Sequence, residues 1–198
     1  EMSASLVGSE MCIRDRDEEF PELPRFGVRL FLDKTFAGVD YFGMGPQESY
    51  RDKHRGSSHG HYHGDVMDMH EDYIRPQENG SHYDCDYVKL EQKAENDKTK
   101  VDKAENVVEK AGNAVVSCMG LAVASQNTFS FNVSPYTEEQ LAAAGHNYEL
   151  TECGSTVLCI DYALNGIGSN SCGPEVADKY KFNENKFDFS FVLVPYKF

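Results

Sequence analysis

The feature that most constrains this chain is a period of two in its apolar residues. Between Lys186 and Pro195, Phe187, Phe189, Phe191 and Leu193 fall on one face of an extended segment while Asp188 and Ser190 open the other, the pattern of a half-buried antiparallel strand. Phe129, Phe131 and Val133 repeat it. Residues 28–32, 39–42, 85–90, 121–124 and 156–164 are further strand candidates, separated by clusters of Gly, Pro, Asn and Asp. Many short strands with turn residues between them predict a mostly β chain, an antiparallel β-sandwich.

Two segments depart from this period. Thr137-Glu-Glu-Gln140 forms a capping box, in which the Thr137 hydroxyl accepts from the Gln140 backbone while the Gln140 side chain reaches back. One short helix should therefore run on through Leu141 to Ala144 and end at Gly145. Residues 91–112 are rich in Lys, Glu, Asp and Asn, with Val101, Ala104, Val107, Val108 and Ala111 at helical spacing. They read as a charged helical insertion between two strands, a solvated face in preference to a partner-binding helix.

A net charge of −14 and a pI near 4.8 argue against nucleic acid or an anionic membrane as partner, because phosphate repels such a surface. No apolar run reaches the roughly 20 residues that span a bilayer. The six cysteines, Cys12, Cys85, Cys118, Cys153, Cys159 and Cys172, follow no metal-binding spacing. They read as reduced, partly buried thiols of a cytoplasmic protein.

Three Gly- and Pro-bearing stretches carry the remaining information: GMGPQESY (residues 43–50), RPQENG (75–80) and GIGSNSCGP (166–174). In the first, two glycines and a proline within four residues imply a bent backbone in close approach to its neighbour, and Glu48 is read as structural. In the second, Asn79-Gly80 suits a tight hairpin turn, with Arg75 and Glu78 as an internal charge pair. His59, His61 and His63 alternate, so on a strand they would share a face and could offer zinc ligands. The surrounding Ser57, Ser58, Gly60 and Gly64 favour a mobile loop instead, and no metal site is assigned. Glycosidase chemistry needs two facing carboxylates. Glu48, Glu78, Asp161 and Glu175 are available, but no sequence context pairs any two of them, and no catalytic residue is assigned.

Taken with LPRFGVRL (23–30) and FNVSPYTEEQL (131–141), these stretches in this order resemble the C-terminal domain of the β-galactosidases of glycoside hydrolase family 2. The resemblance implies a galactose-mutarotase-like supersandwich, here incomplete, that helps to shape the sugar site and subunit packing of a longer enzyme. That enzyme would hydrolyse terminal β-D-galactosides such as lactose, with its catalytic carboxylates in a separate barrel domain. It implies as partners the rest of the polypeptide or a large subunit, in a homo-oligomer. Magnesium and sodium ions would be held elsewhere in the parent, and no cofactor by this chain. The resemblance also places Cys172 where the best-known members carry a Trp platform beside the sugar. Cys172 would line the pocket, with Asn170 and Ser171 hydrogen-bonding a hydroxyl; alternatively Cys172 is a small residue fitting a tight loop.

Residues 1–16 match nothing in that family, and GSEMCIRDR (8–16) resembles translated sequencing-adapter DNA. The expected organisation is a non-native tail at 1–16 followed by a partial sandwich domain at 17–198, its family-like sequence starting abruptly near Phe20. Two other readings stay open: a free carbohydrate-binding module, disfavoured by the lack of Trp, and a mutarotase-like sugar epimerase using His146 and Glu175 as acid and base.

Overall fold

The computed structural model describes residues 23–93, 118–168, 175–184 and 187–198. Among the described residues seven strands make one antiparallel sheet: β1 (Arg25–Asp33), β2 (Phe36–Gly45), β3 (Ser58–Asp65), β4 (Ser81–Gln92), β5 (Met119–Ser134), β6 (Ser155–Leu164) and β7 (Phe191–Lys197). Their order is β1-β6-β5-β4-β2-β3, with β7 also pairing β5. Among the described residues there is one α-helix, α1 (Glu138–Ala143), between β5 and β6.

The connectivity forces this sheet to fold over. β1 and β2 are joined by only Lys34 and Thr35, a reach of about 11 Å. Yet β6, β5 and β4 lie between them in the sheet, a separation of about 19 Å if the sheet were flat. The start of β6 therefore comes against the start of β2, where the Thr156 hydroxyl donates to the Phe36 carbonyl at 3.0 Å. β5 makes the crossing. One side of it follows β4, while on the other side residues 119–125 pair with β7 and residues 130–134 with β6. The β4–β5 register slips between Cys85 and Tyr87, leaving extra β5 residues of which Gln126, Asn127 and Thr128 are exposed. Such a bulge bends and twists a strand, letting it serve both layers. The result is an unclosed antiparallel sheet consistent with an incomplete β-sandwich.

Inside the fold, Val39, Tyr41, Val88, Leu90, Val123, Phe129, Phe131, Val133, Leu158 and Ile160 make a continuous core. Each fully buried apolar side chain contributes about 1.5–3 kcal/mol. The alternation read in residues 187–193 holds, with Phe189, Phe191 and Leu193 turned to this core and Asp188 and Ser190 exposed. Strand β7 itself, however, begins only at Phe191.

Several other expectations are corrected. The candidates at 121–124 and 129–133 are one 16-residue strand, β5. The His59 to His63 segment is no loop: it is strand β3, paired along its length with β2. The backbone ladder supplies the order that its Gly and Ser content seemed to deny. The capping box forms as expected, with Gln140 N–H 3.2 Å from Thr137 Oγ1 and Thr137 N–H 2.9 Å from Gln140 Oε1. Helix α1 ends at Ala144 in an extended conformation, so Gly145 supplies no left-handed cap. Glu91 and Gln92 complete β4, while the rest of the expected helical insertion, from residue 94, lies outside the described residues, as does the tail at 1–16.

Candidate functional site

The first two motifs are tied together by Glu48. This side chain is 3% exposed. It accepts the Gly80 N–H at 2.8 Å and bonds with Lys53 and Tyr73. Burial alone would raise its pKa, but Lys53, Tyr73 and the Gly80 amide outweigh burial and hold Glu48 below the usual carboxylate range. Ser49 adds a second tie, its N–H donating to Ser81 O at 2.7 Å and its hydroxyl accepting from Tyr83 N–H at 2.8 Å. The close approach expected of the glycines is present: a Cβ on Gly43 would stand 2.2 Å from Cys85 Sγ. Gly80 is not the centre of a hairpin turn. It adopts φ +71° directly before β4, with Met69 O where a Cβ would be.

Glu78 does not pair with Arg75, which is exposed. Its partner is Arg25 on β1, with Nη–Oε distances of 3.3 Å. Arg25 also meets Glu138 of α1 and lies 3.0 Å from Asp161 of β6. Gly27 makes room, since a Cβ there would stand 2.3 Å from Asp161 Oδ1. Burial pushes the Asp161 carboxyl up to about 7 against the pull of Arg25, and burial raises Glu78 as well. One arginine thus compensates three carboxylates beneath α1.

The third motif starts on Asp52. Its Oδ1 accepts the Ile167 N–H at 3.1 Å and its Oδ2 the Gly168 N–H at 2.8 Å. Tyr180 O accepts the Gly166 N–H at 3.2 Å, and Asn165 Oδ1 accepts the Phe182 N–H at 2.7 Å. Two surface depressions flank this point. One, of about 480 Å³, is lined by Gln47, Glu48, Asp52, Lys53, His54 and Arg55; the other, of about 230 Å³, by Arg51, Tyr83, Asp84, Asn127, Tyr162 and Glu184 among others. All three motifs, far apart in sequence, converge on this corner. Asn170, Ser171 and Cys172 lie outside the described residues.

The sequence reading missed Asp52 and Arg25. Neither stands out in the chain, because what singles each out is a contact more than 50 residues away. His59, His61 and His63 are exposed on β3. His61 is engaged by Asp40 at 2.5 Å and His59 by the Asp84 carbonyl at 3.1 Å. Among the described residues no group of three or more His, Cys, Asp or Glu is arranged to hold a metal ion. His146 bonds to Glu149 at 3.0 Å, while Glu175 is exposed. Cys85, Cys118, Cys153 and Cys159 are free thiols. No described helix is long and apolar enough to cross a membrane.

Residues 3–193 match the family model of the β-galactosidase small chain. The chain belongs to that family. It is 44% identical over 179 residues to a β-galactosidase of Actinobacillus pleuropneumoniae, covering 90% of this chain and 15% of the relative. A β-galactosidase of Staphylococcus xylosus is 38% identical, over 90% of this chain and 16% of the relative. One of Kluyveromyces lactis is 30% identical, over 87% and 14%. The chain thus spans only about 15% of the length of the relatives it matches.

Proposed function

We propose that this chain is the part of a β-galactosidase that forms one wall of the sugar site and a subunit-packing surface, in an enzyme that hydrolyses terminal β-D-galactosides such as lactose. The observation that carries this reading is that the first two motifs are tied at Glu48 and the third at the neighbouring Asp52. There the buried Glu48 accepts the Gly80 N–H and Asp52 accepts the Ile167 and Gly168 N–H groups, with two depressions alongside. A scaffold of this kind is what a substrate wall requires, because positioning groups work only when their own geometry is locked.

In a retaining glycosidase one carboxylic acid protonates the leaving oxygen while a carboxylate about 5–5.5 Å away attacks the anomeric carbon. Glu48 and Asp161 are buried, Glu78 is half-buried, and each is committed to a cation, so the acid and nucleophile are assigned to the rest of the enzyme. The contribution of this chain is to exclude water beside the galactosyl unit and to orient its hydroxyls. Cys172 supplies the apolar contact, and Asn170 and Ser171 the hydrogen bonds. The magnesium and sodium ions of the parent would be held outside this chain. The parent would be cytoplasmic, in keeping with four free thiols. Packing against the remaining polypeptide or a large subunit, and within a homo-oligomer, would cover Phe31, Val192 and Val194, which stand 49–61% exposed on β1 and β7.

The test is Cys172→Trp in the intact enzyme. A large aromatic beside the sugar should change KM or acceptor preference with little loss of stability. A variant destabilised by about 1–3 kcal/mol with unchanged kinetic constants would refute the wall.

A further inference from the structure

We infer that the depression beside β4, β5 and β6 binds a single neutral sugar ring; this goes beyond the wall reading and uses none of the residues assigned there to the galactosyl unit. The depression, of about 230 Å³, is lined by Arg51, Asp84, Asn127, Thr128, Tyr162 and Glu184 among others. Among the described residues, the side chains of Arg51, Asp84, Asn127 and Thr128 find no hydrogen-bond or ion-pair partner. A guanidinium, a carboxylate, an amide and a hydroxyl are thus left to meet a ligand. Tyr162 donates its hydroxyl to Glu184 Oε2 at 2.6 Å and keeps an oxygen lone pair open.

Asp84 is held in this place by the backbone. It adopts φ +56°, a left-handed conformation sparsely populated outside glycine and concentrated where strain serves function. It lies where the β4–β5 register slips between His82 and Cys85, and such a bulge re-aims a side chain. Both flanks are anchored: Tyr83 N–H donates to Ser49 Oγ at 2.8 Å, and His59 Nε2 lies 3.1 Å from Asp84 O. The charges select the ligand. Arg51 stands against two carboxylates, Asp84 and Glu184, so an anion meets net repulsion, while the guanidinium opposes a metal cation. An apolar ligand would leave the free polar groups desolvated and unpaired. A neutral ring bearing several hydroxyls satisfies donors and acceptors together, and Tyr162 offers aromatic surface to its C–H groups. The volume is below the roughly 300–1,000 Å³ of pockets for drug-sized ligands, so the depression takes one ring and not a chain of them.

The experiment is titration calorimetry on the intact enzyme after its catalytic site has been filled, until hydrolysis ceases, by a fluorinated galactoside that stays bound as the covalent galactosyl intermediate. Galactose, glucose and inorganic phosphate are the probes. The blocked enzyme should still bind one galactose or glucose per chain and no phosphate. Asp84→Gly should weaken the sugar about tenfold and Asn127→Ala about fivefold. The melting temperature of Asp84→Gly should not fall, because glycine adopts φ +56° without steric cost. Loss of sugar affinity without loss of stability is a result that a purely structural Asp84 would not give. If Asp84→Gly fails to fold, Asn127→Ala, a change at an exposed position, decides alone. No sugar bound by the blocked enzyme, phosphate bound in its place, or affinity within about twofold of native in the folded variants overturns the inference. The outcome of Cys172→Trp, which tests the wall, bears on none of these results.

Discussion

Arg25 and Asp161, 3.0 Å apart across the β1–β6 pair, share a buried pocket in which Asp161 is 1% exposed. Glu78, Glu138 and the Cys159 thiol face the same guanidinium. Removing the cation by Arg25→Met would leave the buried Asp161 beside the half-buried Glu78 and Glu138 without a counter-charge, a loss of about 3–5 kcal/mol to be read from the urea midpoint. The same pocket sets a pH dependence. The folded pKa of Asp161, about 7, lies above the roughly 3.9 of an unfolded Asp. Its contribution to stability is therefore complete below about pH 4 and lost as pH rises toward 7. Glu78, also raised by burial, acts in the same direction. Asp161→Asn should flatten the slope between about pH 4 and 7; an unaltered slope would mean that the carboxylate is ionised throughout.

Glu48 works with the opposite sign. Its pKa is lowered in the fold, so its contribution is present above the unfolded value of about 4.3 and lost as pH falls through the folded one. Lys53 is 47% exposed, so solvent screens that ion pair and the Gly80 amide carries more of the effect. Glu48→Ala is expected to cost about 1–3 kcal/mol, with Glu48→Gln closer to native because its amide oxygen can still accept from Gly80. Equal losses in both variants would show that the charge, and not the amide contact, matters.

Gly80 and Gly154 form a natural pair of controls. Both have positive φ, +71° and +82°. A Cβ on Gly80 would meet Met69 O at 2.1 Å, whereas Gly154 has nothing within 4 Å. Gly154→Ala should cost about 1–2 kcal/mol from backbone strain alone, and Gly80→Ala clearly more, since backbone must also move. Thermal denaturation of the two variants checks the order.

Deleting residues 1–16 should leave the melting temperature unchanged. A loss of about 1 kcal/mol would show as about 2–4 °C in a chain of this size, and a drop that large would give these residues a place in the fold.

The chain by itself is expected to hydrolyse no chromogenic β-galactoside above the buffer rate. Turnover abolished by substituting Glu48, Glu78 or Asp161 would transfer the chemistry to this domain.

What the sequence determined alone was everything carried by local period and local chemistry. The alternation at Phe189, Phe191 and Leu193 showed which side chains turn inward, because a strand's two faces follow from backbone pleat alone. The Thr137–Gln140 box formed because both of its bonds close within one turn of chain. The ordered motifs marked the family by their residues and order alone. The tertiary structure decided the partners. Glu78 looked next to Arg75 and went to Arg25, 53 residues away, since an exposed neighbour offers a carboxylate less than a cation desolvated beside it. β3 was unreadable from Gly and Ser content, because its order comes from the ladder to β2. Asp52 could be found only once the fold had carried it to residues 167 and 168: long-range contacts depend on how the sheet folds over, and a period of two holds no record of that.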